Sequence, residues 1–287
     1  GTKTFKEVYH EFNNPIQLEA SVNRFLKEYN ESNESNEQMN LILFKDAIEH
    51  VVKILRIIKT PNGHCLLVGM GGLGRGSLTC LSAFIAEYKI FSIEVSKDYS
   101  YNKNWVEDLQ NLMKLCGFED LPTVFIFRDS QIFVEEVLED ISTFLNKGAV
   151  ASVFNAEDKS ALIDSIGMDF PNETGHLSAS EKFEFFLSRC RENIHLSLCF
   201  SPVDKQFRSR LRNFPSLINC SSFDWFLEWP KEALHSVAVT VLGDGPGIKN
   251  EISQISQVFV QMHEDSKELS KKYQEELRKF YYVTPTS

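Results

Sequence analysis

Cysteine is scarce in this sequence and nowhere arranged for metal: Cys65, Cys80, Cys116, Cys190, Cys199 and Cys220 form no C-x-x-C unit and no His/Cys spacing of zinc-finger type. They read as reduced interior residues of a cytoplasmic protein. No apolar run approaches the roughly 18 residues of a membrane span, and the first residues, GTKTFKEVYHEF, have neither a basic n-region nor an apolar h-region. No membrane segment or leader is expected. Positive charge is also short. The 30 basic against 40 acidic residues leave a formal charge of -10, the wrong sign for neutralising a nucleic-acid backbone. Glycine and proline, at 14 and 9, are too few for a collagenous or low-complexity chain. What remains is a globular composition, 43% hydrophobic and 24% charged, in 287 residues. At about 150 residues per domain, that length suits one large domain or a large and a small one.

Asn14 and Pro15 are a cap and a first helical residue, and Ile16, Leu18, Val22, Phe25 and Leu26 follow at helical spacing, which predicts a helix over 15–29. NESNESNEQ, 30–38, is polar and near-repetitive and reads as a solvated loop, so 1–38 form an N-terminal arm and linker. From Leu41 to Ile58 apolar residues recur every three or four positions, an amphipathic helix stopped by Pro61-Asn62-Gly63. Strand and helix signals then alternate. Short apolar runs at 64–68, 89–94, 123–127 and 195–200 are separated by helical patterns at 77–88, 105–115, 134–145 and 181–192. Such alternation predicts a parallel sheet covered on both faces, over 39–230. Residues 155–179 have poor periodicity and read as a surface insertion with a short helix. After Trp229-Pro230 strand signals cease, and Ile248, Ile252, Ile255, Val258, Phe259, Met262, Leu269, Tyr273 and Leu277 describe the long helices of a smaller subdomain, 231–287. The end at TPTS reads as a cut through a longer polypeptide.

The string HCLLVGMGGLGRGSLT, 64–79, is an apolar strand, a glycine-rich turn and a helix start. That is the setting of the phosphate-binding motif GxxxxGK[ST], whose backbone N–H groups and helix N-terminus cradle phosphates. Gly69 and Gly74 fit its glycines, with Met70, Gly71, Gly72 and Leu73 between them. The lysine position holds Arg75, whose planar fork differs from a compact ammonium. The hydroxyl position holds Gly76, which cannot ligate magnesium, and Ser77 comes one residue late. A glycine-rich turn without a ligand is the alternative. A second string, LPTVFIFRDSQI, 121–132, ends an apolar strand at Asp129, where P-loop enzymes keep the carboxylate of the magnesium shell. The next residue, Ser130, has no charge with which to polarise an attacking water. Glu135 and Glu136 read as solvated helix carboxylates.

With these strings in place the sequence resembles an AAA+ module of a dynein heavy chain, of axonemal type and fourth in its ring. The resemblance rests on FKDAIEHVVKILRIIKTPNGHCLLVGMGGLGRGSLTCLSAFIAEYKIF, FIFRDSQIFVEEVLEDISTFLNKGAV, NIHLSLCFSPVDKQFRSRLRNFPSLINCSSFDWFLEWPKEAL and YYVTPTS. It implies an α/β AAA+ P-loop NTPase fold, with helices flanking a parallel sheet and a C-terminal helical lid leading to the base of a microtubule-binding stalk. Family members usually read GVGGSGKQSL at the loop, so Arg75 and Leu73 are departures, while the unusual hydroxyl position has precedent. The resemblance places Ser201, after HLSLCF, where a sensor would read the γ-phosphate; the alternative is a plain strand-end hydroxyl. It makes Arg210 and Arg212, with Arg208 behind them, candidates for a finger acting in trans on the neighbouring module's nucleotide. Surface ion pairing is the alternative for at least one of the three. Trp225, Phe226, Trp229 and Pro230 read as an apolar hinge between subdomains.

The implied ligands are ATP or ADP, bound by Gly69 through Ser77, Asp129 and Ser201, with a weakly held magnesium at Asp129. The implied partners are the neighbouring AAA+ modules of the same heavy chain, a microtubule through the stalk, and intermediate and light chains through the full-length chain, with no nucleic acid and no membrane. The implied location is cytoplasm, cytoskeleton and ciliary axoneme. Three readings stay open: a structural and regulatory module with a degenerate site and little or no hydrolysis, an active Mg-ATPase with no assigned catalytic residue here, or a nucleotide-free scaffold in which Arg75 bonds Asp129 or helix carbonyls.

Overall fold

The computed structural model describes residues 14–32, 38–170, 174–203, 206–243, 251–279 and 281–284. Three apolar runs become strands that are interior nearly throughout: β1 (Cys65–Gly69), β3 (Thr123–Arg128) and β4 (Ile194–Phe200). Two more exposed strands, β2 (Lys89–Ser92) and β5 (Ser222–Phe226), form the edges of one parallel sheet of order β2-β3-β4-β1-β5. Parallel strands need crossover connections, which cover the sheet with helices and dry its central strands from both sides.

Because side chains alternate along a strand, each strand feeds two cores. Leu66, Val68, Phe125, Phe127, Leu196 and Leu198 face one cluster. It is completed by α4 (Val106–Gly117), α5 (Glu136–Lys147), α6 (Ala156–Asp169) and α7 (Ala179–Asn193). Cys65, Leu67, Val124, Ile126 and Cys199 face the other, formed with α1 (Pro15–Ser32), α2 (Lys45–Ile58) and α3 (Arg75–Ile85). On α2 the apolar spacing buries Ala47, Ile48, Val51, Ile54 and Ile58 on one side, and each larger side chain contributes about 1.5–3 kcal/mol. All six cysteines are free, as their scatter predicted.

Four elements differ from the sequence reading, the first being β5, an edge strand that takes up the Trp225 and Phe226 read as a hinge. The helix expected from Leu41 begins at Lys45. The preceding residues stay out of the helix because Asn30 pins Met39 through both its backbone N–H and its carbonyl, the Leu41 N–H bonds back to the Met39 carbonyl at 2.9 Å, and Phe44 turns onto the Trp229 ring, 5.1 Å away. The helix expected over 15–29 continues to Ser32, into the polar stretch; the rest of that stretch, 33–37, lies outside the described residues. In the segment 155–179, α6 is a 14-residue helix closed by a reciprocal Asn155–Asp158 capping box. It is docked rather than merely superficial, since Leu162 and Ile166 enter the first core.

After β4 come two short helices, α8 (Phe207–Asn213) and α9 (Ser216–Asn219), which lead to β5. The C-terminal part is α10 (Lys231–Gly243) and α11 (Ile252–Leu277). Ile248, counted among its apolar positions, lies outside the described residues. Lys267 of α11 ties this pair to the segment after β5, binding Glu228 at 2.7 Å.

Candidate nucleotide site

In a parallel sheet the carboxyl ends of the strands border the ligand crevice. Here β1 ends at Gly69, flanked by the ends of β4 and β5. A Cβ at Gly69 would stand 2.6 Å from Phe226 Cβ and 2.9 Å from its carbonyl oxygen, so only glycine lets the loop start this close to β5. Gly74 precedes α3 with φ +84°, the left-handed region, and hands the chain into the helix. Leu73 is buried among α2, α3 and Phe226, so the loop is anchored by an apolar side chain.

Arg75 opens α3. Its Nη1 donates to the carbonyl of Phe200 at 2.5 Å, which is a strand-end carbonyl rather than the Asp129 or helix carbonyl of the scaffold reading. Burial lowers its pKa, the nearby Arg128 charge adds to that, and Cys199 and Asp129 oppose it; an arginine stays protonated throughout. Thr79 Oγ1 donates to the Arg75 carbonyl at 2.8 Å and lies 3.2 Å from Ser197 Oγ, fixing the first turn of α3 to β4.

Asp129 sits just past β3. One carboxylate oxygen accepts the Ser201 N–H at 2.7 Å and the other accepts the Ser130 N–H at 2.9 Å. Ser201 thus meets Asp129 through its backbone, while its hydroxyl accepts the Val203 N–H at 3.4 Å. Asp129, Ser201, Arg75 and the loop are therefore gathered at one end of the sheet. A magnesium shell fits poorly there. Gly76 offers no hydroxyl, and both Asp129 oxygens already accept backbone N–H groups.

The finger candidates lie on α8. Arg210 is 8% exposed and its Nη2 donates to Gln206 Oε1 at 2.5 Å, which turns it into the protein. Arg208 and Arg212 are exposed on the same helix. The aromatics of the expected hinge separate as well: Phe226 is buried, Trp229 packs on Phe44, and Trp225 is 53% exposed.

Beside the loop opens a cavity of about 710 Å³. Its walls are residues 40–42, Gly72, Leu73, Gly74 and Ser77 of the loop, the end of β5, and Val237 and Val241 of α10. At its side, buried Asp224 accepts from Lys53 Nζ at 2.7 Å and lies 2.7 Å from His50 Nδ1, and the His50 ring stacks on Phe226 at 3.9 Å. Burial raises the Asp224 pKa, but the hydrogen bonds and charges of His50 and Lys53 outweigh it, and the carboxyl ends below its usual range. None of His50, Lys53, Asp224 or the 40–42 segment stands out in the sequence, because their meeting depends on a contact across some 170 residues.

Residues 39–287 match the family model described as P-loop containing dynein motor region D4. Human dynein axonemal heavy chain 6 is 41% identical over 271 residues, which cover 92% of this chain and 6% of that protein. Human dynein axonemal heavy chain 3 is 38% identical over 287 residues, covering 98% and 7%. The dynein-1-beta heavy chain of the flagellar inner arm I1 complex of Chlamydomonas reinhardtii is 40% identical over 250 residues, covering 87% and 6%. The chain thus spans 6–7% of the length of these relatives. Among solved structures, the S. cerevisiae Hsp104-ADP complex is similar with TM-score 0.44 and 12% identity, over 84% of this chain and 35% of that one. The glycine loop at the end of β1 and a family match from residue 39 to residue 287 agree: this chain belongs to the P-loop-containing dynein motor region D4 family and has its AAA+ fold.

Proposed function

We propose that this chain is the fourth AAA+ module of an axonemal-type dynein heavy chain, acting as a structural and regulatory part of the motor ring that holds nucleotide and turns it over little or not at all. One observation carries this reading: the backbone cradle from Gly69 to Ser77 is intact, while three positions around it lack their working groups. Arg75 replaces the lysine, Gly76 the hydroxyl and Ser130 the general base. The cavity between loop and α10 is large enough for a nucleoside. A ligand spanning it would set the angle between the sheet-bearing part and the C-terminal helices, and those helices would pass the angle on as rigid-body motion. The neighbouring modules of the same heavy chain, a microtubule reached through the stalk, and intermediate and light chains of the full-length assembly are the partners of this reading. The axoneme, within the cytoplasmic cytoskeleton, is its location. Arg212 is the finger candidate that faces outward.

Thermal melting with and without nucleotide tests the binding. A ligand at 100 times its dissociation constant adds roughly 2.7 kcal/mol of stability. Turnover is tested by phosphate release from ATP, where rates typical of AAA+ motors that vanish in Asp129→Ala would overturn the non-catalytic part. A nucleotide-free scaffold is the second reading, favoured by the Arg75–Phe200 hydrogen bond, which holds one arm of the guanidinium inside the protein. No melting shift at millimolar ATP or ADP would select it.

A further inference from the structure

The last residue of β3, Arg128, has no counterpart in the chemistry so far. Strand parity puts it on the face of Val124 and Ile126, the side covered by α3, so its side chain rises beside the first turn of that helix. A Cβ added at Gly76 would lie 3.1 Å from Arg128 Nη2 and 3.8 Å from Nε. The guanidinium therefore lies across the place toward which a P-loop hydroxyl projects, and Gly76 is what makes room for it.

The surroundings do not neutralise it. Among the described residues Arg128 forms no ion pair, and the carboxylate of the adjacent Asp129 is engaged with the N–H groups of Ser130 and Ser201. Arg128 also acts on Arg75 as a like charge. Two guanidinium groups and the N-terminal N–H groups of an 11-residue helix thus converge on the loop, opposed by one carboxylate. A divalent cation brought to this spot would meet fixed positive charge and no hydroxyl ligand. A polyphosphate chain would meet complementary donors.

We propose that Arg128 occupies the position of the divalent cation, so that the loop binds a nucleoside di- or triphosphate as the metal-free anion. This rests on the nucleotide reading above and adds to it why the site does not turn over: the metal that would bridge the terminal phosphates and take up their charge has no seat. Gly76 and Arg128 form a matched pair in which each substitution is intelligible only with the other.

The test is isothermal titration of the 287-residue chain with ADP, once in EDTA and once in excess magnesium. The expected result is binding in EDTA that is equal to, or tighter than, binding in magnesium, since the metal complex of ADP carries less negative charge. Arg128→Ala should weaken binding in EDTA at least tenfold, and Arg128→Lys should lose less. The double change Gly76→Ser with Arg128→Thr should reverse the preference, so that magnesium now tightens ADP several-fold. Arg128 is exposed, so these variants keep their fold, which a melting curve checks. Binding of the unaltered chain that falls tenfold or more in EDTA overturns this proposal and leaves the nucleotide reading standing. ADP that binds in neither buffer overturns both.

Discussion

The cavity has two walls built in opposite ways. The loop wall stands on β1, β3 and β4, whose apolar residues are almost entirely buried and shared between two cores. The other wall, α10, is held by Ala233 and Leu234, and α11 behind it leaves Val258, Phe259, Met262, Leu269 and Leu277 between 51% and 64% exposed. Burial on this scale sets local stability, so the loop side is the fixed reference and the helical side is the part whose position is weakly determined. On the proposed reading, a ligand between them would use its binding energy to orient the second wall.

The contrast breaks most visibly in the sheet. Phe127→Ala empties a fully buried ring site and should cost about 3–5 kcal/mol in a denaturant titration. Acid comes next. His64 accepts the Leu196 N–H at 3.0 Å, and burial, helped by the neighbouring His195, brings its pKa down from 6.5 to about 4. Below pH 6.5 the unfolded chain takes the proton first, so stability present at neutral pH is lost as the pH falls toward 4, by up to about 3 kcal/mol from this group. His195, lowered mainly by burial, acts in the same direction, as does Asp224 at still lower pH. Urea midpoints measured across that range check the slope.

Gly69→Ala should cost about 2 kcal/mol by forcing β1 and β5 apart, and it should weaken nucleotide binding together with folding. Asn155→Ala, which removes the capping box of α6, should cost about 1 kcal/mol. At the bottom of the scale, Met262→Ala on α11 should change the unfolding free energy by less than about 0.5 kcal/mol. A large loss there would mean that the helical wall is as firmly fixed as the sheet and would remove the contrast.

Most of the sheet-bearing part was legible in the sequence because strand periodicity and glycine chemistry are local. CLLVG followed by glycines can hardly be read otherwise, and Asp129 and Ser201 were found as strand-end residues. Leu41 and Phe44 misled because their spacing suits a helix, while Asn30, through Met39, and the distant Trp229 hold this stretch out of it. The docking of α6 was hidden because Leu162 and Ile166 are its only buried residues among polar neighbours. Arg128 was passed over for a similar reason: its significance depends on α3 lying beside β3, and strand parity was the one signal that could have pointed to it. The burial of Arg210 had no such signal, since FRSRLRN reads as basic all round.

Length alone gives α11 a mechanical role. Its 26 residues make a rod of about 39 Å, clasped a little past its middle by Lys267 to Glu228 and by Glu264 to Lys231 of α10. A tilt of about 10° about that clasp would carry the Leu277 end, about 15 Å away, through roughly 2.6 Å, about half a helical pitch. On the proposed reading the helix is thus a lever pivoted at the clasp, and an adjustment at the cavity too small to disturb the sheet reappears as a shift of its Leu277 end.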